Sequence, residues 1–306
     1  MQIDKQIQLN ECRIDNLRVY GVDGATGECL DVTEEYYIVN RAAEDERRRR
    51  KEQWLDGRAQ IAVRAEFPFI WTVYKSMNRL LEKLPSKYVA MLFFLATYQN
   101  YKGDLTTGRK PIYKLDLPKL LDVSRATAYR FWGAIENAGV GREEADGRLC
   151  LDEQYFRRGA VDKQELAVLA QAGRGISRLY IKSIRDMYRR AGDRDKSAVG
   201  HLLRIIPFVH HEYNIVCHNP AEQKLESIRP MRLEELCRAI GYGEENASRL
   251  WEELSKLKFK VLDKECVAVR RITPDDIDGQ AYKLFVNPHA YYSGKSWEQV
   301  KAMGGF

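Results

Sequence analysis

The residues with the most pointed chemistry sit in one short run, Ser124-Arg125-Ala-Thr127-Ala-Tyr129-Arg130. An arginine fork matches the two acceptors on the major-groove edge of guanine, and serine, threonine or tyrosine hydroxyls bond bases or phosphates. Ala128, Phe131, Trp132 and Ile135 recur at three- and four-residue spacing through the same stretch, so they predict the buried face of a helix. Arg125, Thr127, Tyr129 and Arg130 are left on or near the other face, and Ser124 is a good N-cap. Upstream, Leu117, Leu120 and Leu121 predict a short first helix with Pro118 in its opening turn, and Asp122-Val-Ser124 predicts a tight turn. Helix, turn and polar-tipped second helix are the parts of a helix-turn-helix that enters a major groove.

A weaker constellation lies further along. Met231 to Ile240 predicts a first helix, Gly241-Tyr-Gly243 a turn, and a second helix starts near Glu244. Asn246, Ser248 and Arg249 are its candidates for contact. Glu244 and Glu245 would repel phosphates, although glutamate accepts from a cytosine amino group. This copy either touches DNA or serves dimerisation or a protein partner. Cations in the loops and strand after each pair predict wings that grip the backbone: Arg142 and Arg148 in the first copy, and Lys258, Lys260, Arg270 and Arg271 in the second. Near the N-terminus, the run Arg47 to Lys51, with Arg48 and Arg49, reads either as a solvated helix or as a basic arm along phosphates.

Other chemistries find less support. His210, His211, Cys217 and His218 lack the paired spacing of a zinc site, and adjacent histidines on a strand point to opposite faces. The same adjacency argues against the metal motif of a nickase, despite Tyr291 and Tyr292. No phosphate-binding Gly-x-x-x-x-Gly-Lys-Ser/Thr run occurs. The expectation is a chain with no catalysis, no metal and no cofactor.

The elements that must position these residues follow from composition and periodicity. The 306 residues are 44% apolar and 31% charged, with 50 Lys and Arg against 44 Asp and Glu, a formal charge of +6. That bias suits an anionic partner but is modest. The six scattered cysteines read as reduced thiols of a cytoplasmic protein, and no apolar stretch is long enough for a membrane span. Residues 1–62 predict a β-hairpin over 17–39 and a charged helix over 41–60. A first winged-helix domain is expected at 63–160, a linker at 161–178 and a second winged-helix domain at 179–306. Phe67 to Leu81 and Leu179 to Arg190 each read as one amphipathic helix. The fold class expected is mainly α with small β-wings (α+β), in two tandem winged helix-turn-helix domains. An internal repeat supports the doubling: Ala128-Tyr-Arg-Phe-Trp132 falls against Ala247-Ser-Arg-Leu-Trp251, and Ile135 against Leu254.

The segment Ala281-Tyr-Lys-Leu-Phe-Val-Asn-Pro-His-Ala-Tyr-Tyr-Ser-Gly294 resembles the close of winged-helix replication proteins from plasmids and phages of Gram-positive bacteria, a hydrophobic strand followed by Asn-Pro, an aromatic and Gly. The first copy keeps Tyr155, Phe156 and Gly159 but has Asp152-Glu153 in place of Asn-Pro. The resemblance covers roughly 110–160 and 225–295. It implies a sequence-specific double-stranded DNA-binding protein that initiates replication of a plasmid, phage or other mobile element. Host replication proteins or a second copy of the chain are its expected partners, with no membrane. A transcriptional regulator of the same fold, or a protein-binding adaptor such as a helicase loader, are the alternatives.

Overall fold

The computed structural model describes residues 9–15, 18–23, 27–31, 68–159, 176–193, 195–261, 263–273, 282–294 and 297–306. The chain divides into two compact units, Met1–Val63 and Arg64–Phe306. In the first, β1 (Leu9–Asp15), β2 (Arg18–Asp23) and β3 (Cys29–Asp31) form an antiparallel sheet in the order β1-β2-β3. β2 and β3 lie within the span expected for a hairpin, 17–39, and β2 pairs on its other edge with Leu9–Asp15. Residues 35–39, the charged helix at 41–60 with Arg48 and Arg49, and residues 161–175 of the expected linker lie outside the described residues.

The second unit begins with β4 (Phe69–Val73), α1 (Tyr74–Lys83) and α2 (Ser86–Ala96). The single helix expected from Phe67 to Leu81 is therefore a strand and then a helix. Phe-Ile-Trp-Thr-Val is aromatic and β-branched, and such side chains suit a pleated surface. Its apolar residues match helical spacing only by coincidence. The same correction applies later, where β10 (Ile176–Tyr180) runs directly into a helix. Every residue of α2 from Val89 to Ala96 is buried, as an all-apolar helix demands.

Next come the hairpin β5 (Thr106–Thr107) and β6 (Lys110–Pro111), then α3 (Leu117–Leu121) and α4 (Arg125–Asn137). β7 (Gly141–Glu143), β8 (Leu149–Leu151) and β9 (Phe156–Arg157) complete the first half. After β10 the order repeats with α5 (Ile181–Arg190) and α6 (Lys196–Ile205). Pro207 lies in the 3-10 turn Ile206–Phe208 that follows α6. α7 (Leu233–Ala239) and α8 (Ala247–Ser255) follow, separated by a 3-10 turn at Glu244–Asn246. Two hairpins, β11 (Lys258–Val261) with β12 (Lys264–Val267) and β13 (Val269–Ile272) with β14 (Lys283–Val286), lead to β15 (Tyr291–Tyr292) and α9 (Trp297–Gly304).

The expectation of a mainly α chain built as two tandem winged-helix domains is overturned. Helix takes 42% of the described residues and strand 25%, an α+β composition. The strands that bound the two halves lie together in one antiparallel sheet, in the order β15-β10-β4-β9. At its centre Ile176 pairs with Val73 and Tyr180 with Phe69, which joins the halves edge to edge. One hydrophobic core also runs through both, from Phe93, Phe94 and Trp132 to Leu203, Leu236 and Leu250. α2 and α6 meet within that core at Gly200, where an added Cβ would lie 1.8 Å from the carbonyl oxygen of Ser86. Only glycine permits this approach.

Candidate nucleic-acid interface

The α3–α4 corner is built from local rules. Asp122 ends α3 in the left-handed conformation, at φ 50 and ψ 57, a region that short polar side chains tolerate. The chain then re-extends at Ser124, whose hydroxyl accepts from the backbone N–H of Thr127 at 3.2 Å and lies 2.9 Å from the Thr127 hydroxyl. Ala128, Phe131, Trp132 and Ile135 are buried, so one face of α4 is committed to the core. The corner is also held from below. Lys196 of α6, only 1% exposed, donates to the carbonyls of Asp122 at 2.6 Å and Leu121 at 3.2 Å. The Tyr188 hydroxyl donates to the same Leu121 carbonyl at 2.8 Å.

This architecture fixes what α4 exposes. Arg125 and Arg130 are exposed and Thr127 and Tyr129 half-buried. The Arg125 guanidinium sits 5.2 Å from the centre of the Tyr129 ring, and the Arg130 Nε donates to the Ala126 carbonyl at 3.3 Å. Neither arginine is within ion-pair distance of a carboxylate among the described residues. Among the other exposed cations that share that condition are Lys119 on α3, and Arg109 and Lys110 at the tip of the β5–β6 hairpin. Sequence reasoning passed over these three. Gly103 to Gly108 reads as a polar loop, yet Thr107 pairs with Lys110 around Gly108 at φ 65. A glycine followed by residues able to return in register was the available signal.

The expected wing cations are placed differently. Arg142 pairs with Glu144 at 2.8 Å, and Arg148 with Asp146 at 2.5 Å and with Asp104 at 3.5 Å. These contacts hold the β7–β8 hairpin to itself and to the neighbouring loop. The Asn100 amide, first among several causes, lowers the Asp104 carboxyl below its ordinary range.

In the second half three of the candidates are engaged by acids, whereas Lys260, Arg270 and Arg271 have no ion-pair partner among the described residues. Asn246 donates to the Glu245 carboxylate at 3.0 Å, Arg249 pairs with Glu253 at 3.2 Å, and Lys258 with Glu265 at 2.8 Å. Ser248 and Lys260 are exposed, and the Lys260 backbone N–H donates to Asp186 at 2.7 Å. Arg270 and Arg271 lie in strand β13, not in a loop. Their guanidiniums lie 5.4 Å from the Phe306 ring centre and 3.7 Å from that of Tyr282. Glu253 also takes His201 Nδ1 at 2.8 Å and the Tyr242 hydroxyl at 3.4 Å, so four side chains converge there.

Of the histidine and cysteine cluster, His210 is held by backbone groups. His210 Nδ1 accepts from the backbone N–H groups of Glu212 and Tyr213, which leaves Nε2 to carry the proton toward the Glu222 carbonyl at 2.7 Å. Burial lowers the His210 pKa and pushes the Cys217 thiol up to about 11. His218 lies 3.3 Å from Glu235. Among the described residues no group of three or more His, Cys, Asp or Glu is arranged to hold a metal ion. No helix among them is long and apolar enough to cross a membrane.

In comparisons with known proteins, no family model, curated protein or solved structure matches the chain.

Proposed function

We propose that the chain binds double-stranded DNA through α4 and the basic surface around it. The observation that carries this reading is the pair Arg125 and Arg130. Both are exposed on the first two turns of a helix that is capped by Ser124 and immobilised by a buried opposite face. A helix that cannot roll fixes the positions from which its arginine side chains reach out, and so limits the base edges that they can meet. Lys119, Arg109 and Lys110 add cations for phosphates.

The second half takes a different part. Its exposed surface at the start of α8 carries Glu244 and Glu245, and its Arg249 is spent on Glu253. That arrangement favours contact with protein over contact with phosphates.

A role as replication initiator of a mobile element rests on the resemblance of the Ala281–Gly294 segment, and a transcriptional regulator would use the same surface. A plasmid that carries the gene and its flanking repeats, with no other initiator, replicates under the first role and not under the second. DNA binding itself is tested by fluorescence anisotropy with fragments of the gene's own locus across a salt series. The expected result is sequence preference, with affinity falling steeply as salt rises. Binding with neither a salt slope nor a preferred fragment overturns the reading.

A further inference from the structure

Behind the α3–α4 corner lies an open cavity of about 850 Å³, bounded by the β5–β6 hairpin, α3 and α5. Its volume falls within the usual range for small-molecule sites. Under its floor the buried rings of Phe94 and Tyr188 stack with centres 4.1 Å apart and planes 17° apart, and they present edges rather than a free face. Tyr113, 41% exposed, stands on its wall.

The charge around the opening is one-sided. Lys110, Lys119 and Arg189 line it, and none has a carboxylate partner among the described residues. Arg189 is nevertheless placed, because its guanidinium donates to the Tyr98 hydroxyl at 3.1 Å. Two acids also stand on the wall, against four cations when Lys196 is included, so the balance is positive. Asp116 accepts from the Tyr113 backbone N–H at 2.9 Å, and Asp122 lies 3.6 Å from the buried Lys196. Three cations without carboxylate partners beside an exposed tyrosine ring make a site for a ligand that carries both several negative charges and a flat ring; Lys110 and Lys119 are also cations of the proposed DNA surface, so such a ligand competes with DNA phosphates for them.

We propose that this cavity binds a nucleoside di- or triphosphate, with the phosphates on Lys110, Lys119 and Arg189 and the base against the aromatic wall. Asp122 and Leu120 belong to the same wall, so an occupant touches the turn that sets α4. Occupancy therefore changes DNA affinity, a consequence that rests on the DNA-binding reading; the binding itself does not.

The test is isothermal titration of the full chain with ADP, adenosine and pyrophosphate, in the absence of DNA. ADP is expected to saturate below roughly 1 mM and to bind at least tenfold more tightly than adenosine or pyrophosphate. Arg189→Ala, in a side chain that is exposed and on no DNA-facing element, is expected to weaken ADP about tenfold with an unchanged circular dichroism spectrum. No heat with ADP overturns the proposal, and so does ADP binding that Arg189→Ala leaves untouched. Pyrophosphate binding as tightly as ADP overturns the role of the aromatic wall. Anisotropy of bound DNA with and without ADP then reads the coupling. A DNA affinity that ignores ADP removes the coupling alone, and a chain that binds ADP but no DNA removes the DNA reading while the cavity stands.

Discussion

The two halves of the unit Arg64–Phe306 use one backbone plan and differ in the charge that the helix after the turn presents. Matching hydrogen bonds show the shared plan. The Leu105 N–H donates to Leu149 O at 2.8 Å and the Val216 N–H to Leu284 O at 2.9 Å; the Asp152 N–H donates to Val140 O and the Asn287 N–H to Ala268 O, both at 2.8 Å. By this alignment the β13–β14 hairpin answers to β7–β8, and β11–β12 is an insertion of the second half. The insertion docks on α5 through Arg190 and Glu265, 3.2 Å apart. The helices after the turns differ in kind. α4 starts at a serine cap and shows unpaired arginines, whereas α8 starts behind an acidic 3-10 turn, has no side-chain cap, and pairs Arg249 with Glu253 and Lys256 with Glu252. A common fold thus leaves open which surface meets an anion, and the neighbouring carboxylates decide it.

The comparison presupposes that the halves fold as one body, and Gly200 is where that is most easily broken. A Cβ there meets the Ser86 backbone, which cannot swing aside as a side-chain tip can. Gly200→Ala is expected to cost about 3 kcal/mol or more. Gly133 is the control: it lies within α4 with nothing within 4 Å of its would-be Cβ, so Gly133→Ala is expected to be neutral or to stabilise by up to about 1 kcal/mol. Chemical denaturation of the two variants checks both signs. Equal stability would mean that α2 and α6 do not approach as closely as described.

The charge contrast is sharpened by pairing substitutions across the halves. Arg125→Ala combined with Arg130→Ala is expected to weaken binding of the preferred DNA fragment by about 100-fold and to leave the unfolding midpoint unchanged. Arg249→Ala is expected to change DNA affinity less than about twofold, because its guanidinium already serves Glu253. Anisotropy on the three proteins decides. A larger loss from Arg249→Ala than from the double variant would move the DNA surface to the second half.

Much of the α3–α4 corner was legible in the sequence. Ser124, the leucines of α3 and the Ala128-Phe131-Trp132-Ile135 stripe report short-range rules of capping and periodicity, and the structure follows them. The bounding strands were not legible. Phe69–Val73 and Ile176–Tyr180 gain their partners from 157, 292 and each other, pairings no local window contains. The same holds for charge: that Arg148 meets Asp104 depends on the bridge that Asp104 makes to Cys150 of β8. Sequence shows a cation but not the acid that cancels it.

Lys196 tests the clamp beneath the corner. Its ammonium is drawn from α6 of the second half and serves carbonyls at the end of α3. Lys196→Met keeps most of the volume and removes the donors. The Leu121 carbonyl retains the Tyr188 hydroxyl, so the loss centres on Asp122. The expected cost is about 2 kcal/mol, read from urea denaturation. No loss would mean that water replaces the ammonium without penalty and that the corner stands on its own half.

The smallest expected effect separates the halves by pH. All five histidines fall in the second half, from His201 to His289. Burial, the largest cause, lowers the pKa of His201, His210 and His211 below the ordinary 6.5. For His201 the Glu253 carboxylate pulls the other way and does not win. A group whose folded pKa is depressed binds fewer protons folded than unfolded, so stability rises with pH through the interval between the two values and falls as acid is added. Stability is therefore expected to decline as the pH falls through about 6.5, the ordinary histidine value, before most carboxylates titrate. His201→Gln is expected to flatten part of that slope. Hydrogen exchange locates the response: amides of α8, tied to His201 through Glu253, are expected to lose protection before those of α4, where no histidine is within the same half. Equal loss in both helices would show that acid acts on the shared core and not on the second half.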